Sequence, residues 1–257
     1  MKELELKKVL GENIELHYFA VTDSTNSCAK KAAEQAASSG IRTPQLFVAR
    51  EQSAGRGRMG RSFSSRAGSG IYMSLLYFTD TRLCNAVSIT TAAAAIVAAE
   101  IERVTDREMK IKWVNDIYNE RGKVCGILVE SLPMPGGGYA VIVGIGINIG
   151  EESFPEELRG IAASIGDVSG KEESLVAGIV ERILRHASKP EDRGYMTEYR
   201  KRLMMVGERV DLLSCGEIVD EGIVLGVDDD GGLLFLPDGE NSPTVVRSGE
   251  ISLRFKR

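Results

Sequence analysis

Histidine occurs twice in this 257-residue chain, tryptophan once and cysteine four times. His17 and His186 stand far apart and no His-Glu-x-x-His is present, so a histidine metal site or a Ser-His-Asp triad has little raw material. Cys28, Cys84, Cys125 and Cys215 form no Cys-x-x-Cys pair, which leaves buried thiols in place of a zinc site or a disulfide framework. Aromatic residues are few, and 37 acidic side chains outnumber 32 basic ones, a balance that weighs against a nucleic-acid partner. No long apolar run occurs: the stretch Thr91 to Ala99 ends at Glu100, far below the roughly 18 residues of a membrane span. The first eight residues interleave charges with leucines where a secretory signal would be continuously apolar, so a cytoplasmic protein is expected. What is there, 43% hydrophobic and 27% charged residues, can bury a core and excludes a mainly disordered chain.

Ile14 to Ala20 alternates as a half-buried strand and runs into Thr22-Asp-Ser-Thr-Asn26, whose short polar residues suit a helix N-cap before the alanine-rich stretch Cys28 to Ala37. Leu46 to Ala49 and Ile71 to Phe78 read as strands framing a glycine- and arginine-rich loop, and Leu83 to Val104 as a long helix. Lys123 to Leu132 and Tyr139 to Ile149, separated by a Pro/Gly turn, read as an antiparallel hairpin. Leu175, Val176, Ile179, Val180, Ile183 and Leu184 recur at helical spacing over about 172–188, and a further helix is expected around 194–205. Short strands separated by Gly and Asp turns then occupy 210–246. The expected fold is α+β: a mixed sheet with helices packed on it over 1–205, followed by a small β-barrel over 206–257. The second part holds 5 basic and 11 acidic side chains, which keeps it from phosphate backbones.

Three segments carry chemistry. In Gln52 to Phe63, glycines at 55, 57 and 60 alternate with arginines at 56, 58 and 61; glycine lets backbone N–H groups approach an anion and arginine adds a planar donor fork. A solvated flexible loop has the same composition. Lys110 to Ile117 holds an Asn115-Asp116 pair that could be turn chemistry alone, and Lys123 opens an apolar strand that can aim its ammonium across the sheet or leave it in water. Val141 to Ile149 is a core strand with glycines at 144 and 146, marking a bend or the close approach of a ligand.

Taken together these segments resemble the biotin protein ligases. The resemblance rests on Asp23-Ser-Thr-Asn26, Gly55-Arg-Gly-Arg-Met-Gly-Arg61, Lys112-Trp-Val-Asn-Asp116, Lys123 to Glu130 and Gly144-Ile-Gly-Ile-Asn148, with weaker likeness at Ile161-Ala-Ala-Ser-Ile165 and Ser248-Gly-Glu-Ile-Ser252. It implies a ligase core like that of class II aminoacyl-tRNA synthetases, an SH3-like barrel after it, and a short form without an N-terminal DNA-binding domain. It implies that ATP and biotin give biotinoyl-5′-AMP, from which a lysine of a biotin carboxyl carrier protein takes the biotinoyl group, with Mg²⁺ and no tightly bound prosthetic group. By the same resemblance Ser24, Thr25, Asn26 and Gln52 bind the ureido ring, Gly144 and Gly146 leave room for the ligand, and Arg56 and Arg58 fold over it. Lys123 meets the biotin carboxylate and then the α-phosphate, with Arg58 and Asp116 beside it as catalytic residues; Arg61, Phe63, Lys112, Asn115 and Asn148 complete the nucleotide side. Asp116 serves the metal, the nucleotide or the incoming lysine.

Two positions depart from the family pattern: Val114 replaces the usual proline, freeing the backbone of Trp113, and Phe63 replaces the usual tryptophan. A homodimer through the sheet edge is a further expectation. The alternatives are a lipoate or octanoate ligase or transferase, which shares the carrier-lysine acceptor, and a non-catalytic anion- or nucleic-acid-binding module built on the arginine loop.

Overall fold

A computed structural model describes residues 1–57, 60, 62–80, 85–150, 154–214, 216–247 and 251–255. Strands β1 (Glu15–Phe19), β2 (Gln45–Ala49), β3 (Gly70–Thr79), β4 (Lys110–Lys112), β5 (Asp116–Asn119), β6 (Gly122–Pro133) and β7 (Tyr139–Asn148) form one mixed sheet in the order β1-β2-β3-β7-β6-β5-β4. β1 and β2 pair in parallel and the other neighbours are antiparallel. The helices are α1 (Glu3–Leu10), α2 (Thr25–Ser39), α3 (Ala86–Thr105), α4 (Glu172–Ala187) and α5 (Tyr195–Arg202).

The period of two in β3 and β7 gives the sheet two unlike faces. Ile71, Met73 and Leu75 of β3 and Val141, Val143, Ile145 and Ile147 of β7 point one way and are buried with Leu6 of α1, Ile101 of α3 and Ile179 of α4. Each such side chain contributes about 1.5–3 kcal/mol of transfer free energy. Leu76, Ala140 and Ile142 point the other way and pack on Ala29, Ala33 and Ala36, which share one face of α2 at spacings of four and three. That helix covers one end of its face. The other end carries Gly126, Gly144 and Gly146, in register as Gly126↔Gly146 and Leu128↔Gly144, and is covered by the Phe63 ring and the Asn26 amide.

α2 starts at Thr25, ahead of the expected Cys28, and its cap differs from expectation. Ser24 holds the N-cap position in extended conformation without a side-chain capping bond. The Thr25 N–H instead donates to Gln52 Oε1 at 2.8 Å, so a side chain 27 residues away takes over one of the helix's unpaired donors. Charged residues flanking leucines at the N-terminus give no strong helix signal, yet they form α1, because Leu6 finds a tertiary partner in the core.

Past α5, β8 (Arg209–Ser214), β9 (Glu217–Val227), β10 (Leu233–Pro237), β11 (Thr244–Val246) and β12 (Ile251–Phe255) make a small antiparallel sheet in the order β11-β10-β9-β8-β12. Its β9–β10 turn docks on the large sheet. The Trp113 indole N–H donates to Gly231 O at 2.9 Å, and Arg200 Nη2 donates to Asp229 Oδ1 at 2.6 Å. Gly231 needs to be glycine twice over: its φ is +83°, and a Cβ there would stand 2.8 Å from Thr91 Cγ2. Among the described residues no helix is long and apolar enough to cross a membrane.

Candidate active site

Three strands bring the charged residues together through one irregularity. β5 and β6 pair as Asp116↔Gly126 and Ile117↔Cys125, then shift so that Tyr118 faces Lys123, leaving Val124 as an extra residue. In a regular strand Lys123 and Gly126, three apart, would point to opposite faces. The bulge sends Val124 and Cys125 both into the core and turns Lys123 onto the glycine face. There Lys123 Nζ lies 2.7 Å from Asp116 Oδ1 and 3.4 Å from where a Cβ on Gly126 would be. The lysine is thus no solvated strand end. Lys112 stands opposite Asp116 across β4–β5, which puts a second cation on the same face. Asp116 Oδ1 is buried and meets the lysine as a charge, without hydrogen-bond alignment. Burial, and then the Asp116 carboxylate, push the neighbouring Tyr118 phenol up to about 12. Burial also pushes the Cys125 thiol up, which makes it an inert core residue.

The turn bearing Asn115 and Asp116 is clamped on three sides. Asn115 Nδ2 donates to Ile127 O at 2.8 Å, Tyr199 Oη donates to Val114 O at 3.2 Å, and Trp113 is held by Gly231 as above. Trp113 and Val114 are 3% and 2% exposed, so tertiary contacts hold the backbone that loss of the proline is expected to free. The peptide bond between them is cis. Asn148 Nδ2 donates to Ala163 O at 3.0 Å and lies 3.4 Å from Lys123 O. Its amide ties β7 to its neighbours.

At the other end of the glycine face lies a buried polar chain. Asn26 Nδ2 donates to Glu130 Oε2 at 2.8 Å, and Ser74 Oγ lies 2.6 Å from Asn26 Oδ1 and 2.7 Å from Thr25 Oγ1. Thr25 Oγ1 and its backbone N–H both donate to Gln52 Oε1, and Gln52 Nε2 donates to Ser65 Oγ at 2.8 Å. Ser24, Thr25, Asn26 and Ser74 are all buried. Asp23, exposed beside them, is held below the ordinary carboxylate value by the Ser24 N–H.

Two protein groups press close against the glycines. A Cβ on Gly144 would stand 2.0 Å from Asn26 Oδ1, and one on Gly146 2.5 Å from Phe63 Cε1. The room they leave is filled by the Asn26 amide and the Phe63 ring, because α2 and the loop press both onto the sheet. The loop folds back on itself, with Phe63 N–H donating to Gly55 O at 2.9 Å, and Arg56 Nη2 reaches Glu130 Oε1 at 3.7 Å. Arg58 and Arg61 lie outside the described residues. The sequence did not single out Ser74, Ser65 and Glu130; a lone serine in the apolar strand Ile71 to Phe78 was the available signal for the first.

Residues 18–148 match the model of the biotin/lipoate A/B protein ligase family. The bifunctional ligase/repressor BirA of Bacillus spizizenii is 36% identical over 237 residues, which cover 88% of this chain and 70% of that protein. The biotin–[acetyl-CoA-carboxylase] ligase of Paracoccus denitrificans is 30% identical over 242 residues, covering 90% of this chain and 98% of the relative. Among solved structures, the biotin protein ligase of Aquifex aeolicus in complex with biotin and ATP superposes with a TM-score of 0.75 at 28% identity, over 94% of this chain and 99% of the other.

Proposed function

This chain belongs to the biotin/lipoate A/B protein ligase family, and from that membership and the site we infer the reaction and the residues that carry it. It is a biotin protein ligase: it activates biotin with ATP to biotinoyl-5′-AMP and transfers the biotinoyl group to a lysine of a biotin carboxyl carrier protein or domain. The observation that favours biotin within the family is the buried chain Glu130–Asn26–Ser74–Thr25–Gln52 at one end of the glycine face. A ureido ring offers N–H donors and a carbonyl to such groups. A lipoyl or octanoyl chain offers neither, so it would gain nothing from these polar groups and would press apolar surface against them.

In the first step a biotin carboxylate oxygen attacks the α-phosphorus of ATP and the bond to pyrophosphate breaks. Two anions must meet, so cationic donors set the rate, and no base is required because the attacking group is already ionised. Lys123 stands at the centre of this assignment, with Lys112 on the same face and Arg58 and Arg61 in the loop. Asn115 and Asn148 line the nucleotide side as parts of a stiff frame, and Phe63 gives the apolar wall. Asp116 Oδ1, a buried oxygen whose close neighbour is the Lys123 ammonium at 2.7 Å, would supply the single carboxylate that Mg²⁺ takes when phosphates and waters fill its other positions, once that lysine turns to the phosphate. That ion would neutralise phosphate charge. In the second step the neutral amine of the carrier lysine attacks the acyl carbon, AMP leaves with the bonding pair, and the surplus amine proton departs. The alternative task for Asp116 is to orient the carrier lysine as an ammonium, before it gives a proton to solvent and attacks as the amine.

The same reading includes a catalytic unit over 1–205 and an SH3-like closure of the small sheet over 206–257. It also includes a cytoplasmic setting, a homodimer and no nucleic-acid partner. Biotin-dependent exchange of pyrophosphate into ATP tests the reaction: exchange with biotin and none with lipoate or octanoate is expected, and exchange driven by lipoate would overturn the assignment.

A further inference from the structure

We propose that Glu130 is a positioning residue of the biotin pocket, locking the Asn26 amide with its oxygen turned toward Ser74 and the glycine floor. The inference rests on the biotin reading above and names a determinant of that pocket which does not itself touch the reacting atoms.

The two ends of an asparagine amide have nearly the same shape, so their partners decide which way it faces. Ser74 cannot decide, because a hydroxyl donates or accepts equally well. Gly144 cannot decide either, since it contributes only room, with a Cβ there falling 2.0 Å from Asn26 Oδ1. Glu130 can: an ionised carboxylate only accepts, so at 2.8 Å from Oε2 the Asn26 group must be the NH₂. The oxygen is thereby turned to Ser74. The Thr25 hydroxyl donates to Gln52 Oε1, so Thr25 Oγ1 is an acceptor as well. The single Ser74 hydroxyl proton then faces two acceptors, Asn26 Oδ1 at 2.6 Å and Thr25 Oγ1 at 2.7 Å. A cluster short of donors suits a ligand that brings N–H groups. Without Glu130 the amide is free to turn over and present its own N–H where the ligand presents one.

Arg56 Nη2 sits 3.7 Å from the other carboxylate oxygen with 48% of its side chain exposed, so this ion pair adds little by itself. It gives the second carboxylate oxygen a cationic neighbour of its own and leaves the first to Asn26.

Substitution separates direction from packing. In Glu130→Gln the side-chain oxygen can still accept from Asn26; in Glu130→Ala it cannot; in Asn26→Asp two carboxylates collide. In the swapped pair Asn26→Asp/Glu130→Gln the new amide at position 130 donates to the new carboxylate at position 26, whose second oxygen still faces Ser74. Biotin Kd by calorimetry, and KM and kcat by pyrophosphate exchange, are measured for all five proteins. We expect Glu130→Ala to weaken biotin about 10- to 100-fold, with kcat at saturating biotin within about threefold. Glu130→Gln should fall between the parent and Glu130→Ala, because its amide can accept from Asn26 or turn over together with it, and the swap should recover at least about tenfold over Asn26→Asp. The swap decides the matter if Glu130→Ala fails to fold. An unmoved biotin Kd in folded Glu130→Ala, or a swap no better than Asn26→Asp, overturns the inference and leaves the biotin reading intact. Failure of the unsubstituted chain to bind biotin overturns that reading and this inference with it.

Discussion

Replacing Lys123 by methionine keeps most of the stem that lies along Gly126 and Phe63 and removes the charge. The ammonium is assigned to the instant when carboxylate and α-phosphate meet, so the loss falls on adenylate formation. A preorganised electrostatic donor of this kind is worth about 10²–10³ in rate, or about 2.7–4 kcal/mol. Stability cannot imitate that figure. Lys123 and Asp116 keep 28% and 24% of their side-chain exposure, so the pair resembles a partly screened surface bridge worth up to about 1 kcal/mol. For a chain of this size that corresponds to a fall in Tm of at most about 4 °C. Biotin-dependent pyrophosphate exchange should drop by the full factor, while biotin Kd, set at the other end of the glycine face, moves little. Chemically made biotinoyl-5′-AMP bypasses the damaged step, so transfer to an acceptor carrier in a single turnover should recover substantially. Adenylate formation at the unsubstituted rate would refute the assignment, and so would a loss of biotin affinity equal to the loss of rate.

Arg58→Ala should release the adenylate about 10- to 100-fold faster, the value of one charge-assisted donor, as followed by stopped-flow displacement; an unchanged off-rate removes Arg58 from the site. Gly178→Ala, inside α4, gains about 1 kcal/mol of helix propensity, yet its Cβ would stand 2.3 Å from Glu100 Oε2. Arg103 and Arg182 hold that buried carboxylate, and displacing a charged hydrogen bond costs about 1.5–3 kcal/mol, so Tm should fall by a few degrees; a rise would show that Glu100 yields freely. Tyr118, pushed up to about 12 from 10.0, keeps its phenol proton in the fold at pH values where the unfolded chain has lost it. Its contribution is complete below about pH 10 and drains away as pH rises toward about 12, so urea midpoints should fall less steeply there in Tyr118→Phe than in the parent. Parallel slopes would count against that perturbation.

The hairpin of β6 and β7 was legible because its two apolar runs flank a Pro/Gly turn, and the glycines at 144 and 146 marked the face that matters. That Lys123 looks across this face was only one of two readings, since a count by twos along β6 sends it into the core. The bulge at Val124 reverses that count, and nothing in a run of apolar letters announces a bulge. Glu130 stayed hidden for another reason: its partner Asn26 lies 104 residues away, and only the folded sheet brings them together. The α2 cap misled in the same fashion. Ser24 is a good local capping residue, but its side chain makes no capping bond, and it is Gln52, 27 residues on, that takes the first N–H of the helix. The glycine–arginine loop announced anion chemistry by composition, whereas the contact of Arg56 with Glu130 depends on tertiary placement.

Because Trp113 is the chain's one tryptophan and is 3% exposed against the β9–β10 turn, the molecule carries its own optical probe at the seam between its two sheets. That indole is out of water and its N–H is engaged by Gly231, which sets a short-wavelength emission as the expected signal of the docked state. Any event that lifts the small sheet away wets that indole and shifts the emission to longer wavelength, even while the large sheet keeps its far-ultraviolet dichroism. Two residues further along begins the Asn115–Asp116 turn proposed to handle nucleotide, so the same signal reports on the backbone beside it. Undocking of the small sheet is therefore an event that this protein should report through its own emission, without any label.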